Sequence, residues 1–215
     1  ARTYRAELNQ TIINLLDNGR VMAGKVDGVP RVEHAMDTVM ALTTVATGLG
    51  DKCGLLAFDR EVRAVVQPSR SRAQLGRIVE AMYDLEPVLA ESDYRGGFTA
   101  TLARFRRRTM IVVHTELIEQ AVGQFLLPAL PLISRHHVVV VAAVRDPAVE
   151  AWAAQNVTEP HEVYRRVAAL KALDERRRTI ARLQAMGATV VDAGPDELAM
   201  KLVDAYLQVK ATGRL

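Results

Sequence analysis

"IINLLDNGRVM", residues 12–22, sets the architecture of the chain. An apolar run ends in Asp17, and Gly19 follows two residues later. A continuous apolar run closed by a turn signal reads as a strand buried on both faces. Such a strand delivers a carboxylate to the rim of a sheet. There Asp17 has three available jobs: to hold a metal, to attack a phosphate, or to shape the turn by accepting backbone N–H groups.

Outward from this strand, apolar runs alternate with segments of helical period. "RVEHAMDTVMALTTVATGLG" (31–50) reads as a helix, with apolar residues at Val32, Ala35, Met36, Val39, Met40 and Leu42 and glycines at its end. "KCGLLAF" (52–58) and "VRAVVQP" (62–68) flank "DRE" as a tight hairpin. Helices follow at 71–85, capped by Ser71, and at 92–108, capped by Ser92, the second with basic residues in its last turn. "TMIVVHT" (109–115) and "HVVVVAAV" (137–144) are strands, separated by a helix bent or broken at Pro128 and Pro131. A long charged helix (160–187), the strand "ATVVDA" and a last helix starting at Pro195 complete the chain. In the long helix Val163, Val167, Leu170, Leu173 and Ile180 form an apolar stripe expected to pack on the sheet, its charged remainder free for a partner or a second copy.

Strands alternating with helices give an α/β fold with a mainly parallel sheet, and the hairpin adds one antiparallel edge. A length of 215 residues fits a single domain over 1–215. With 49% hydrophobic and 25% charged residues, the composition is that of a globular protein. The lone Cys53 excludes an internal disulfide and, with no second cysteine near it, a zinc site; it reads as a small buried hydrophobe. A net charge of +3 is too weakly basic for a dedicated nucleic-acid binder, and 5% aromatic residues leave few rings for stacking bases. No run reaches about 18 uninterrupted apolar residues, so no membrane span is expected. The polar opening "ARTYRAELNQ" has no secretory pattern, and a start at Ala1 rather than Met suggests a piece of a longer protein.

In open parallel sheets ligands bind outside the carboxyl ends of the strands. The residues there are Asp17–Val21, His114–Glu116, Arg145–Asp146 and Asp192–Ala193. Asp17, Glu116 and Ser92 offer hard oxygens of the kind that Mg²⁺ or Ca²⁺ prefers. Arg20, Asp17, Glu116, Arg145 and Asp146 are the candidates for contact with a partner. His114 at a strand end reads as a hydrogen-bonded structural residue. The clusters "FRRRT" and "ERRRT" read as solvated helix faces, with anionic lipid headgroups as the rival partner.

The stretches "RTYRAELNQTIINLLDNGRVM", "RVEHAMDTVMALTTVATGLGDKCGLLAFDREVRAVVQP", "YDLEPVLAESDYRGGF", "VVAAVRDP" and "AYLQVKATGRL" resemble the C-terminal half of the domain of unknown function 58 family, a branch of the von Willebrand factor A-like proteins. The resemblance implies a von Willebrand A-like three-layer fold, its mostly parallel sheet carrying one antiparallel edge strand and helices on both faces. It also implies a membrane-anchored parent with this segment on the cytoplasmic side, and a MoxR-type AAA+ ATPase as protein partner. The fold's metal-ion-dependent adhesion site follows the pattern Asp-x-Ser-x-Ser, with a threonine and an aspartate from later loops. Here Asp17 keeps the first position, Gly19 and Val21 stand in place of the serines, Ser92 matches the threonine and Glu116 the aspartate. The two lost hydroxyls and a carboxylate about 1.5 Å longer fit Mg²⁺ poorly. The resemblance therefore implies a degenerate site in a non-catalytic adaptor, with a divalent-metal-dependent binding module as the alternative. Arg20 could pair with Asp17 or Glu116 in place of an ion, or be a solvated surface residue.

Catalytic readings are weaker. "LLDNGRV" has the strand-end aspartate of a haloacid-dehalogenase-type phosphatase, but Gly19 occupies the position of its acid/base carboxylate. There is no nucleophile elbow. There is no Walker A loop, so ATP hydrolysis would belong to a separate partner.

Overall fold

In the computed structural model of this chain, residues 10–156, 159–213 are described. Residues 1–9, 157–158 and 214–215, which include the polar opening and the ends of two of the stretches quoted above, lie outside the described residues.

Six strands form one sheet: β1 (Thr11–Asp17), β2 (Lys52–Phe58), β3 (Val62–Ser69), β4 (Met110–His114), β5 (Val138–Val144) and β6 (Thr189–Ala193). Their spatial order is β3-β2-β1-β4-β5-β6. Every pairing is parallel except β2 with β3, which makes the antiparallel edge expected from the hairpin. The chain moves outward from β1 to β2 and β3, then returns to lay β4 on the other side of β1. The carboxyl ends of β1 and β4 therefore flank the topological switch point of the sheet.

The helices are α1 (Arg31–Gly48), α2 (Gln74–Met82), α3 (Tyr94–Arg104), α4 (Leu127–Ser134), α5 (Pro147–Ala154), α6 (Pro160–Ala185) and α7 (Pro195–Ala211). Alternation along β1 assigns them to faces. Ile13 and Leu15 join a core with Phe58, Phe98, Val113 and Leu130, under α3 and α4. Ile12 and Leu16 face the other way, toward Leu42 and Tyr206 in one cluster and Val39 and Ile78 in another, under α1, α2 and α7. The result is three layers, with β1 buried on both faces. At the amino end of the sheet the buried Asp51 carboxylate accepts from Gln10 N (3.0 Å), Tyr206 Oη (2.5 Å) and Lys210 Nζ (2.7 Å), which fastens α7 to the strands.

Several local expectations change. Ser71 stands three residues before α2; its hydroxyl accepts from Ala73 N in a preceding turn. The cap of α3 is Asp93, which accepts from Gly96 N at 2.9 Å, because the Ser92 hydroxyl is engaged elsewhere. That helix stops at Arg104: Phe105 leaves helical geometry and turns into the core, so Arg106–Arg108 follow the helix rather than end it. Before α4 the chain passes through a helical turn (Glu119–Ala121) and a π turn (Val122–Leu126), just upstream of Pro128 and Pro131. The helix α5 was not anticipated; Asp146 caps it by accepting from Ala148 N.

The stripe of α6 is the largest correction. Val163, Val167 and Leu170 are about half exposed, while Ala169, Thr179 and Leu183 are buried and Ile180 packs against the core. At 100° per residue the residues from 163 to 170 that form the stripe point away from the face that carries Thr179 and Leu183. Only the second half of the helix packs on the sheet.

A polar chain crosses the α1 side of the sheet. Asn14 Nδ2 donates to Cys53 Sγ (3.3 Å) and Gly54 O (3.3 Å), its Oδ1 lies 2.9 Å from His114 Nε2, and His114 Nδ1 lies 3.1 Å from Thr38 Oγ1. Burial lowers the His114 pKa from 6.5 to about 3 and raises that of the Cys53 thiol to about 11. Between these two His114 values the unfolded chain binds a proton that the native chain refuses, so stability falls as pH falls through that window. From about pH 7 to about pH 5 this one group is expected to cost about 2 kcal/mol, seen as a drop in the urea midpoint. In His114→Gln that part of the pH dependence is expected to vanish.

Candidate functional site

The site is built on Asp17, the last residue of β1, whose side chain is fully buried. Its Oδ1 accepts from Gly19 N (2.9 Å) and Ser92 Oγ (2.5 Å). Its Oδ2 accepts from Tyr94 Oη (2.6 Å) and Thr115 Oγ1 (2.7 Å). Four donors from three segments thus ring the carboxylate, and an ionised carboxyl group has about four acceptor positions. Tyr94 Oη and Thr115 Oγ1 also stand 2.8 Å apart, so two hydroxyl hydrogens serve three oxygen–oxygen contacts. Burial first, then the Asp17 charge, push the Tyr94 phenol well above its ordinary value, which keeps it protonated as a donor.

Local sequence explains the close fit. Gly19 lies against Ser92: a Cβ there would overlap Ser92 Oγ and come within 3.0 Å of Ala90 O. Gly97 lets α3 approach β2, since a Cβ at that position would reach 2.9 Å from the Phe58 ring. Phe58, Tyr94 and Phe98 pack edge to face behind the cluster, with ring centroids 5.6–6.5 Å apart.

Glu116 goes elsewhere. It is buried between two arginines, with Oε1 held by Arg176 and Oε2 2.8 Å from Arg31 Nε, an ion pair rather than an aligned hydrogen bond. Arg176 also pairs with Asp192 at 2.8 Å and donates to Val144 O at 3.2 Å. Burial works against the Arg176 charge, but Glu116 and Asp192 more than offset it and hold the guanidinium protonated above the usual arginine range. Asp17 and Glu116 share no bonding partner.

Of the expected rim residues, the structure brings Asp17 and Ser92 together and places Glu116 in this separate ion network. Arg20 reaches neither carboxylate. Its side chain is 62% exposed and pairs with Glu91. Arg145 pairs with Glu150 at 3.1 Å, and Asp146 caps α5; both line a cavity of about 220 Å³ beside the network. The cluster "ERRRT" divides: Arg176 turns inward, while Arg177 and Arg178 are exposed and pair with Asp174. Sequence reading missed Tyr94, Thr115, Arg31 and the inward Arg176. The helical phase that Arg176 shares with Thr179 and Leu183 was the available signal for the last. Thr115 directly follows a strand, at its carboxyl end on the rim. Among the described residues no group of three or more His, Cys, Asp or Glu side chains stands where it could hold a metal ion.

Residues 1–159 match the family described as "Protein of unknown function DUF58". No curated protein matches the chain. Among solved structures, the SpRpn10 VWA domain is similar at 18% identity and a TM-score of 0.51, over 91% of this chain and 94% of that one. The conserved hypothetical protein BatB from Bacteroides thetaiotaomicron is similar at 14% identity and a TM-score of 0.56, over 94% of this chain and 99% of that one. At these identities the likeness is one of fold.

The geometry predicts unequal costs of substitution. Tyr94→Phe removes one of the donors to a buried charge and is expected to destabilise by about 1–3 kcal/mol. Arg20→Ala, which loses only an exposed pair, is expected to stay within about 0.5 kcal/mol of wild type. Gly19→Ser must displace Ser92 and is expected to lower the melting temperature, although it restores the pattern residue. Equal melting temperatures for Tyr94→Phe and the wild type would show that the phenol is not needed to satisfy Asp17.

Proposed function

This chain belongs to the DUF58 family and has a von Willebrand A-like fold, and we propose that it acts as a non-catalytic adaptor that binds protein partners at the carboxyl rim of its sheet. The observation that carries this reading is the Asp17 carboxylate, fully buried and ringed by donors from Gly19, Ser92, Tyr94 and Thr115. A divalent ion would need the acceptor positions that those donors face. It would also need further hard ligands, and Glu116 is engaged by Arg31 and Arg176. This engagement of Asp17 and Glu116 supports a degenerate metal-ion-dependent adhesion site over a resident cation. A covalent phosphoryl-transfer role needs an accessible attacking carboxylate and a proton donor; Asp17 is buried and residue 19 is glycine.

The rim beside Asp17 remains open. Ile118 is 45% exposed and Phe125 36%, next to ion pairs and two cavities, a mix of apolar anchors and charge suited to protein contact. The resemblance noted from sequence supports a MoxR-type AAA+ ATPase as the partner and a parent protein anchored in the membrane with this segment on the cytoplasmic side. Among the described residues no helix is long and apolar enough to cross a membrane. A lipid-facing role for the "ERRRT" cluster would rest on Arg177 and Arg178.

Two measurements test the reading. Calorimetric titration with Mg²⁺, Mn²⁺ and Ca²⁺ is expected to give only heats of dilution, for the wild type and for Asp17→Ala alike. Saturable heat that Asp17→Ala abolishes would favour the metal-dependent module instead. In a binding assay with a MoxR-type ATPase, Ile118→Glu on the rim is expected to lose retention, and Lys52→Glu at the opposite ends of the strands to keep it. Equal retention by both variants would rule out the rim as the contact.

A further inference from the structure

The two rim cavities share Arg31 and Ile118 but differ in charge. The larger, against α6, is lined by three arginines and four carboxylate residues, and one of those arginines, Arg176, is committed to Glu116 and Asp192. The smaller, of about 180 Å³, is lined by the guanidinium groups of Arg20 and Arg31 against the single carboxylate of Glu91. The exposed amides of Gln120 and Gln124 also line it, and Ile118 and Phe125 supply apolar wall.

Arg31 is fixed in place without being used up. It is the first residue of α1, its backbone N–H donates to Gly24 O at 2.8 Å, and its side chain is only 20% exposed. Its Nε faces Glu116, which Arg176 and the Leu117 N–H hold from the other side. Its two terminal nitrogens donate to no described residue. The guanidinium lies over Gly24, where a Cβ would overlap Nη1. A planar fork with free donors, its stem buried and its position set before any partner arrives, matches a carboxylate in geometry and charge. The strand-end Asp17 offers no such charge, because its own donors enclose it.

From this we infer that the cavity between Arg20 and Arg31 receives an aspartate or glutamate side chain of the protein partner. Arg31 takes the carboxylate, Gln120 and Gln124 offer further N–H groups, and Ile118 and Phe125 cover the apolar residues on either side of it. Arg20, already paired with Glu91, is not the anchor. The inference rests on the rim-binding reading above and names the chemistry recognised there.

The test is an ¹⁵N-edited NMR titration of the 215-residue chain with two capped peptides, acetyl-Leu-Asp-Phe-amide and acetyl-Leu-Asn-Phe-amide. The aspartate peptide is expected to shift the Ile118 and Phe125 amides and the Gln120 and Gln124 side chains saturably. It is expected to bind about tenfold tighter than the asparagine peptide, the effect of one charge-assisted contact. Arg31→Met should bring the aspartate peptide down to the asparagine level. Gly24→Ala should do the same by displacing the guanidinium while keeping the fold, since the backbone there (φ −61°, ψ 147°) suits alanine. Equal shifts from both peptides would overturn the carboxylate inference and leave rim binding standing. No rim shift from either peptide would overturn the inference and count against the rim as well. Inorganic phosphate binding as tightly as the aspartate peptide would also overturn it, by making the cavity a general oxyanion site.

Discussion

A carboxylate buried at the switch point of the sheet must find donors, and the satisfaction of Asp17 is the constraint on which the rim is built. Leaving such a group unpaired in a low-dielectric interior is costly. The chain meets the requirement with neutral donors from the β1 turn, from Ser92 and Tyr94 at the start of α3, and from the residue after β4. Meeting it draws three segments of the rim to one point. It also accounts for local choices that otherwise look unrelated: glycine at 19, where a side chain would strike Ser92, and Asp93 rather than Ser92 as the cap of α3.

Charge on the rim is handled in a second, separate place. Glu116 sits between Arg31 and Arg176, and Asp192 lies on the far side of Arg176. Two guanidinium groups and two carboxylates balance one another, while the Asp17 cluster contains no cation. Buried ion pairs of this kind add less net stability than their Coulomb attraction suggests, but breaking one partner out leaves an uncompensated charge. The network ties the start of α1 and the middle of α6 to the ends of β4 and β6. It gives the rim fixed walls, against which the exposed Ile118 and the free face of Arg31 are presented.

Much of the fold was legible in the sequence, and for local reasons. "TIINLL" and "HVVVVAAV" are apolar without interruption because their strands are covered on both faces. The hairpin around "DRE" announced the antiparallel edge. The misreadings also have local causes. The stripe of α6 divides because its residues do not hold one phase: at 100° per residue Ile180 stands about 100° round the helix from Val163, so Ile180 reaches the core while Val163, Val167 and Leu170 face outward. Ser92 looked like a cap because serine before a helix usually is one; here its hydroxyl is drawn to Asp17 and the neighbouring Asp93 caps the helix.

The sequence alone determined the succession of the six strands and of the helices other than α5, the antiparallel edge and the placement of a carboxylate at the end of β1. Each of these follows from the period of apolar residues and from turn residues close by in the chain. Only the tertiary structure decided what surrounds that carboxylate. Tyr94 and Thr115 reach Asp17, Glu116 turns to Arg31 and Arg176, and Arg20 turns outward to Glu91. Those outcomes depend on the directions in which side chains leave separate loops, brought together by β4 returning beside β1, and no pattern within a single segment encodes that meeting.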